Sequence, residues 1–75
     1  MCLLEMKTGD KAIIDSLNMG TELKHRLNAM GLMKDSRIEV NQYGWFKSTV
    51  QIMINRSLIA IRRDEALLIE VHKIV

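Results

Sequence analysis

Proline is absent from this 75-residue chain, cysteine occurs once, and tryptophan, tyrosine and phenylalanine occur once each. Each shortage excludes something. Without proline, the turns fall to Gly, Asn and Asp, which tolerate or favour turn backbones for their own reasons. A lone thiol at Cys2 cannot staple a domain, so nothing points to an oxidising compartment. The longest apolar runs, such as Leu58–Ile61 and Ala66–Ile69, fall far short of the roughly 20 residues needed to span a bilayer. The apolar N-terminal stretch is broken by Glu5 and Lys7 with no basic segment before it, so no secretory signal is expected. Eleven basic residues stand against nine acidic ones, and a net charge of +2 mixed along the chain is too mild for a nucleic-acid binder. These exclusions leave a soluble, intracellular protein. It would serve a membrane process only by docking to something that spans.

What is present is apolar content, 48% of the residues, which favours a folded domain over disorder. At this length the chain forms one domain, residues 1–75. No linker, repeat or low-complexity tract interrupts it. Gly9-Asp10 signals a turn into a strand over Lys11–Leu17. Thr21 is suited to cap a helix, Glu22 suits its first turn, and Leu23, Leu27 and Met30 recur at i, i+4, i+7 as a buried stripe. Gly31 is the expected left-handed residue beyond that helix, with Leu32 packing back on Leu27.

Beyond Asp35 the period changes from helical to alternating. Arg37–Val40 reads as a strand continuing towards Tyr43, and Val50, Ile52 and Ile54 define the next. Asn55-Arg56 makes a tight turn into a third strand over Ser57–Arg63, apolar on both faces and so expected to be buried on both. A helical turn at "RRDEAL" leads to a last strand, Leu68–Val75, with Ile69, Val71 and Val75 inward. The fold class is mainly β: a small SH3-like barrel of about five strands, closed so that no flat sheet edge is exposed, with one short helix after the first strand.

Nothing in the chain supports catalysis. His25 and His72 lack partners at ligand spacing and read as surface histidines. Six methionines do not cluster as soft-metal motifs; Met30 and Met53 fall where packing accounts for them, and Met6, Met19 and Met33 have no assigned place. The four glycines stand singly at turns rather than in a phosphate loop. The segment "YGWFKS" is different. It gathers Tyr43, Trp45 and Phe46, every aromatic in the chain, with Lys47, into one hairpin region. Two readings stand side by side: a loop that plugs the barrel end, and an exposed tip that contacts a partner through aromatic hot-spot residues.

In order along the chain, "L..M..G..A.I" (Leu3 to Ile14), "RLNAMGL…I.V" (Arg26 to Val40) and "V.I.I…IAIRRDEA..I.V" (Val50 to Val71) resemble the ferrous iron transport protein A (FeoA) family over nearly the whole chain. The resemblance implies a cytosolic SH3-like barrel, without enzymatic activity or cofactor. Such a protein assists a GTP-driven Fe2+ permease of the bacterial inner membrane by binding it. Trp45, Phe46, Lys47 and Tyr43 are then the expected partner-contact residues, and no metal ligands are assigned. A related barrel ends metal-dependent transcriptional repressors, so a free-standing module that binds a regulatory protein is the alternative. A direct metal carrier is a third reading, for which the residues predict weak or no binding of Fe2+ or Zn2+. Self-association stays open. The chain departs from the family pattern at Lys34-Asp35 (commonly Pro-Gly), at Arg56 (often Gly) and at Gly44–Thr49 (often like "APLGDP").

Overall fold

The computed structural model describes residues 1–74. Five strands form one antiparallel sheet: β1 (Lys11–Leu17), β2 (Arg37–Tyr43), β3 (Thr49–Ile54), β4 (Ser57–Arg62) and β5 (Ile69–Ile74). Their order in the sheet is β4-β3-β2-β1-β5. The helix α1 (Thr21–Ala29) lies between β1 and β2, and a one-turn helix α2 (Arg63–Ala66) joins β4 to β5. The register of β1 on β5 shifts between Ile14 and Ser16, and that of β2 on β3 between Val40 and Gln42. A bulge bends its strand and raises the local twist, so these two irregularities let a five-stranded sheet curl around one core. The result is the expected SH3-like, mainly β architecture.

The core is wholly apolar, and no polar or charged residue is buried among the described residues. Alternation supplies most of it: Ala12 and Ile14 from β1, Ile38 and Val40 from β2, Val50, Ile52 and Ile54 from β3, and Ile69 and Val71 from β5. A strand's successive side chains point to opposite faces, which is why period-two spacing places these together. The N-terminal segment adds a contribution that the sequence reading left unassigned. Residues Leu3–Glu5 form a 3₁₀ turn that buries Leu3 and Leu4, and Met6 is buried beside them.

The helix α1 ends as expected. Gly31 takes φ 95°, the Leu32 amide donates to the Leu27 carbonyl at 2.9 Å, and the Gly31 amide donates to the Asn28 carbonyl at 2.9 Å. This is the complete Schellman hydrogen-bond pair, with Leu27 and Leu32 both buried beneath it. Three local expectations need correction. Gly20, not Thr21, is the N-cap, and it makes no side-chain cap bond; Thr21 is already in the first turn. Met30 is the C-cap residue and is exposed, because the backbone leaves the helix there and carries it off the buried stripe. In β4 only Ile59 and Ile61 are buried, while Leu58 and Ala60 face outward. Every strand of this single sheet packs one face on the core, so a continuous apolar run overstated the burial of β4. The expected inward Val75 lies outside the described residues.

The sheet keeps two edges, contrary to the expectation of full closure. Along β5 the free edge is covered near its start. The N-terminal ammonium donates to the Val71 carbonyl at 3.0 Å, the Val71 amide donates to the Met1 carbonyl at 2.7 Å, and Cys2 bridges Glu70. Along β4 no described residue pairs with the outer side.

Candidate functional site

The candidate site is the connection between β2 and β3. Gly44 leaves β2 and its amide donates to the Thr49 carbonyl at 2.9 Å, closing the loop at its base. A Cβ at position 44 would lie 2.5 Å from the Thr49 hydroxyl oxygen, so the tight base accounts for the glycine. A single 3₁₀ turn, Trp45–Lys47, then follows, held by Lys47 N–H to Gly44 and Ser48 N–H to Trp45 at 3.0 and 2.9 Å. Inside it Phe46 and Lys47 take φ 54° and 56° in succession. Neither residue type favours the left-handed region, where a Cβ crowds the following carbonyl at a cost of roughly 1–2 kcal/mol per residue.

The strained backbone aims the side chains in two directions. Trp45 and Phe46 point to solvent, 85% and 90% exposed, with ring centroids 6.3 Å apart and tilted by 50°. The loop therefore does not plug the barrel. Tyr43 is half-buried against the core, and its hydroxyl donates to the Met6 carbonyl. Burial raises its pKa above the usual phenol value. Lys47 has an exposed stem, but its ammonium donates to the Leu4 carbonyl at 3.2 Å and sits 4.7 Å from the centre of the Tyr43 ring. Arg63 of α2 closes the other side: its amide donates to the Ser48 carbonyl at 2.9 Å and its guanidinium to the Phe46 carbonyl at 3.2 Å. Of the four candidate residues, two are thus presented and two hold the presentation in place. The sequence reading missed Arg63 as a member of this group. Its adjacency to an acidic pair masked it, whereas Glu65 actually pairs with Arg26 of α1.

A shallow cleft beside the loop is lined by Leu4, Glu5, Lys47, Arg63, Leu67 and Glu70. Elsewhere, His25 is exposed on α1, and His72 pairs with Asp15 at 2.6 Å on the outer face of β5 and β1. Cys2 is a free thiol whose sulfur accepts the Leu4 amide at 3.4 Å, so it caps the N-terminal turn. Among the described residues no group of three or more His, Cys, Asp or Glu side chains converges as a metal site. No helix among them is long and apolar enough to cross a membrane.

Comparison with known proteins agrees with the architecture. The chain is 38% identical over 74 residues to the Fe(2+) transport protein A of Campylobacter jejuni, covering 99% of this chain and 100% of that one. The solution structure of the FeoA protein from Chlorobium tepidum superposes with a TM-score of 0.93 at 29% identity, over 100% of this chain and 71% of that one. The fold also recurs within ScaR, in its zinc-bound crystal structure, with a TM-score of 0.87 at 23% identity over 99% of this chain and 37% of that one. At that identity the likeness concerns the fold alone. The model of the FeoA domain matches residues 1–73, and the chain belongs to the FeoA domain family.

Proposed function

We propose that this protein is a cytoplasmic accessory of bacterial ferrous-iron uptake. It acts by docking on the cytoplasmic part of a GTP-driven Fe2+ permease and biasing that permease's GTPase or gating state. The observation that carries the reading is the pair Trp45 and Phe46, almost fully exposed on a buttressed loop. Large aromatics have few rotatable bonds and lose little conformational freedom on binding, which is why they recur among interface hot spots. Lys47, Tyr43 and Arg63 hold the backbone that presents them. Docking changes the permease only to the extent that its two states bind this loop with different affinity. Binding, rather than catalysis, is the proposed activity.

Calorimetric titration of the permease's GTPase domain with this protein tests the reading. Replacing Trp45 and Phe46 together by alanine is expected to weaken binding by at least about 30-fold, the equivalent of one hot-spot residue at about 2 kcal/mol. Folding stability should stay within about 1 kcal/mol, since the two rings bury little. Unchanged binding in a folded double variant sinks the assignment of the loop. Capture of a transcriptional regulator in place of the permease would favour the regulatory module instead.

A further inference from the structure

The geometry points to the outer edge of β4 as a strand-addition site for an extended acidic segment of another protein chain. Four observations converge there. The turn Asn55-Arg56 sets Ile54 opposite Ser57, and the register runs without a bulge to Thr49 opposite Arg62. In a two-residue hairpin the closing pair exchanges both backbone bonds, and such pairs then alternate. Ser57, Ile59 and Ile61 therefore bond to β3, while Leu58, Ala60 and Arg62 turn their amides outward. Among the described residues no backbone partner meets the amides of Leu58 and Ala60.

Three of the usual protections of an edge strand are missing here: proline, a bulge and a covering segment. Proline is absent from the chain, the β3–β4 register is unbroken, and the N-terminal segment covers the opposite edge at β5. The charges near the ends of β4, Arg56 and Arg62, oppose a like-charged strand and not an acidic one. The side chains beside the free amides, Leu58 and Ala60, are both exposed.

Charge selects the occupant. Residues 40–63 carry Lys47, Arg56, Arg62 and Arg63 and no aspartate or glutamate, although the whole chain has nine acidic residues. None of the four forms an ion pair among the described residues, but Lys47 and Arg63 are engaged in the aromatic loop, which leaves Arg56 and Arg62 to act at the edge. Arg56 and Arg62 are exposed near the two ends of the edge. Opposite charges facing each other across strands favour pairing, and like charges oppose it. A second copy adding antiparallel with Leu58 opposite Ala60 would set Arg62 against Arg56. A bilayer is equally unsuited, since it offers no partner to free backbone groups. The matching chemistry is an extended segment with an apolar residue facing Leu58 and a carboxylate facing Arg62. The two points are about 13 Å apart at the usual strand rise. This site is separate from the aromatic loop and does not rest on the permease assignment.

The test uses capped octapeptides of alternating valine and threonine that carry two glutamates, four glutamates or two lysines. Binding is read by calorimetry and by amide hydrogen exchange in NMR spectra of the whole protein. Glutamate peptides should bind more tightly as their charge rises, slow exchange at the Leu58 and Ala60 amides, and weaken with added salt. Arg62→Glu should weaken them about tenfold. Ala60→Pro, which removes one outward donor while sparing the bonds to β3, should abolish the protection; Arg62→Glu keeps the test valid if that variant fails to fold. Trp45→Ala should leave peptide binding unchanged. The proposal is overturned by any of three results: lysine peptides binding equally well, no peptide protecting the β4 amides, or those amides becoming protected by self-association as concentration rises.

Discussion

Of the connections that enter strands through left-handed backbone, the joint before β2 and the loop before β3 use opposite residue types. The joint between α1 and β2 places Gly31 at φ 95° and Asp35 at φ 72°. Glycine has no Cβ to clash, and the short polar side chain of aspartate tolerates the region. The joint is also buried where it matters, with Leu32 fully covered. The loop between β2 and β3 places Phe46 and Lys47 at φ 54° and 56°. Its residues resist the conformation, and its largest side chains contact solvent instead of the core. The first connection is shaped for stability. The second stores strain that its exposed rings do not repay within the molecule. Strain of that kind, held by surrounding hydrogen bonds, is characteristic of binding surfaces.

The largest test of this contrast is Leu32→Ala. It empties a fully buried site under the helix stop, and thermal or urea denaturation should show a loss of about 2–5 kcal/mol. Gly31→Ala comes next. The nearest atom to an added Cβ is the Asn55 side-chain nitrogen at 3.8 Å, so space is available. The cost is therefore conformational, about 1–2 kcal/mol. Phe46→Gly should do the reverse, keeping or raising stability by up to about 1 kcal/mol, because it relieves a strained φ and removes a ring that packs on little. Equal losses from Gly31→Ala and Phe46→Gly would erase the distinction between the two connections.

Tyr43→Phe removes the hydroxyl that ties the loop to Met6 and should cost about 1 kcal/mol. It should also flatten the alkaline limb of the stability profile. The pKa of Tyr43 is raised in the folded state, first by burial. Its contribution is therefore complete below the ordinary phenol value of about 10 and is lost as pH rises through the folded value. The smallest effect belongs to Asp10 at the entry to β1. The Lys7 amide donates to its carboxylate at 2.9 Å and Lys73 lies 3.5 Å away, and together they lower its pKa. That contribution is present above the ordinary carboxylate value of about 4 and fades as pH falls through the folded value. Acid titration of Asp10→Ala, followed by circular dichroism, should give a shallower decline than the parent chain.

The same contrast explains what the sequence made legible. The helix stop was readable because Gly31 and Leu32 each have one good explanation at their positions, and the hydrogen bonds follow from it. Strand alternation in β1, β2 and β3 was readable for the same reason. The segment "YGWFKS" marked a site by composition, but its exposure follows from left-handed backbone at Phe46 and Lys47, which those residue types do not announce. Arg63 joins the loop only through the pairing of Thr49 with Arg62, a tertiary fact. The burial of β4 was overstated because an unbroken apolar run carries no alternation to tell the buried face from the exposed one. The N-terminal residues were missed because three residues, Leu3–Glu5, are too few to show a helical period.

The chain has one tryptophan, and it stands at the tip of the loop. Its indole meets water in the folded protein much as it would in the unfolded chain. Intrinsic emission should therefore be red-shifted in the native state and change little through the unfolding transition, leaving that optical channel silent about the core. The same indole becomes a built-in reporter of whatever covers the loop. A blue shift and slower quenching by iodide would register contact at Trp45 without a label, against a background that folding does not disturb.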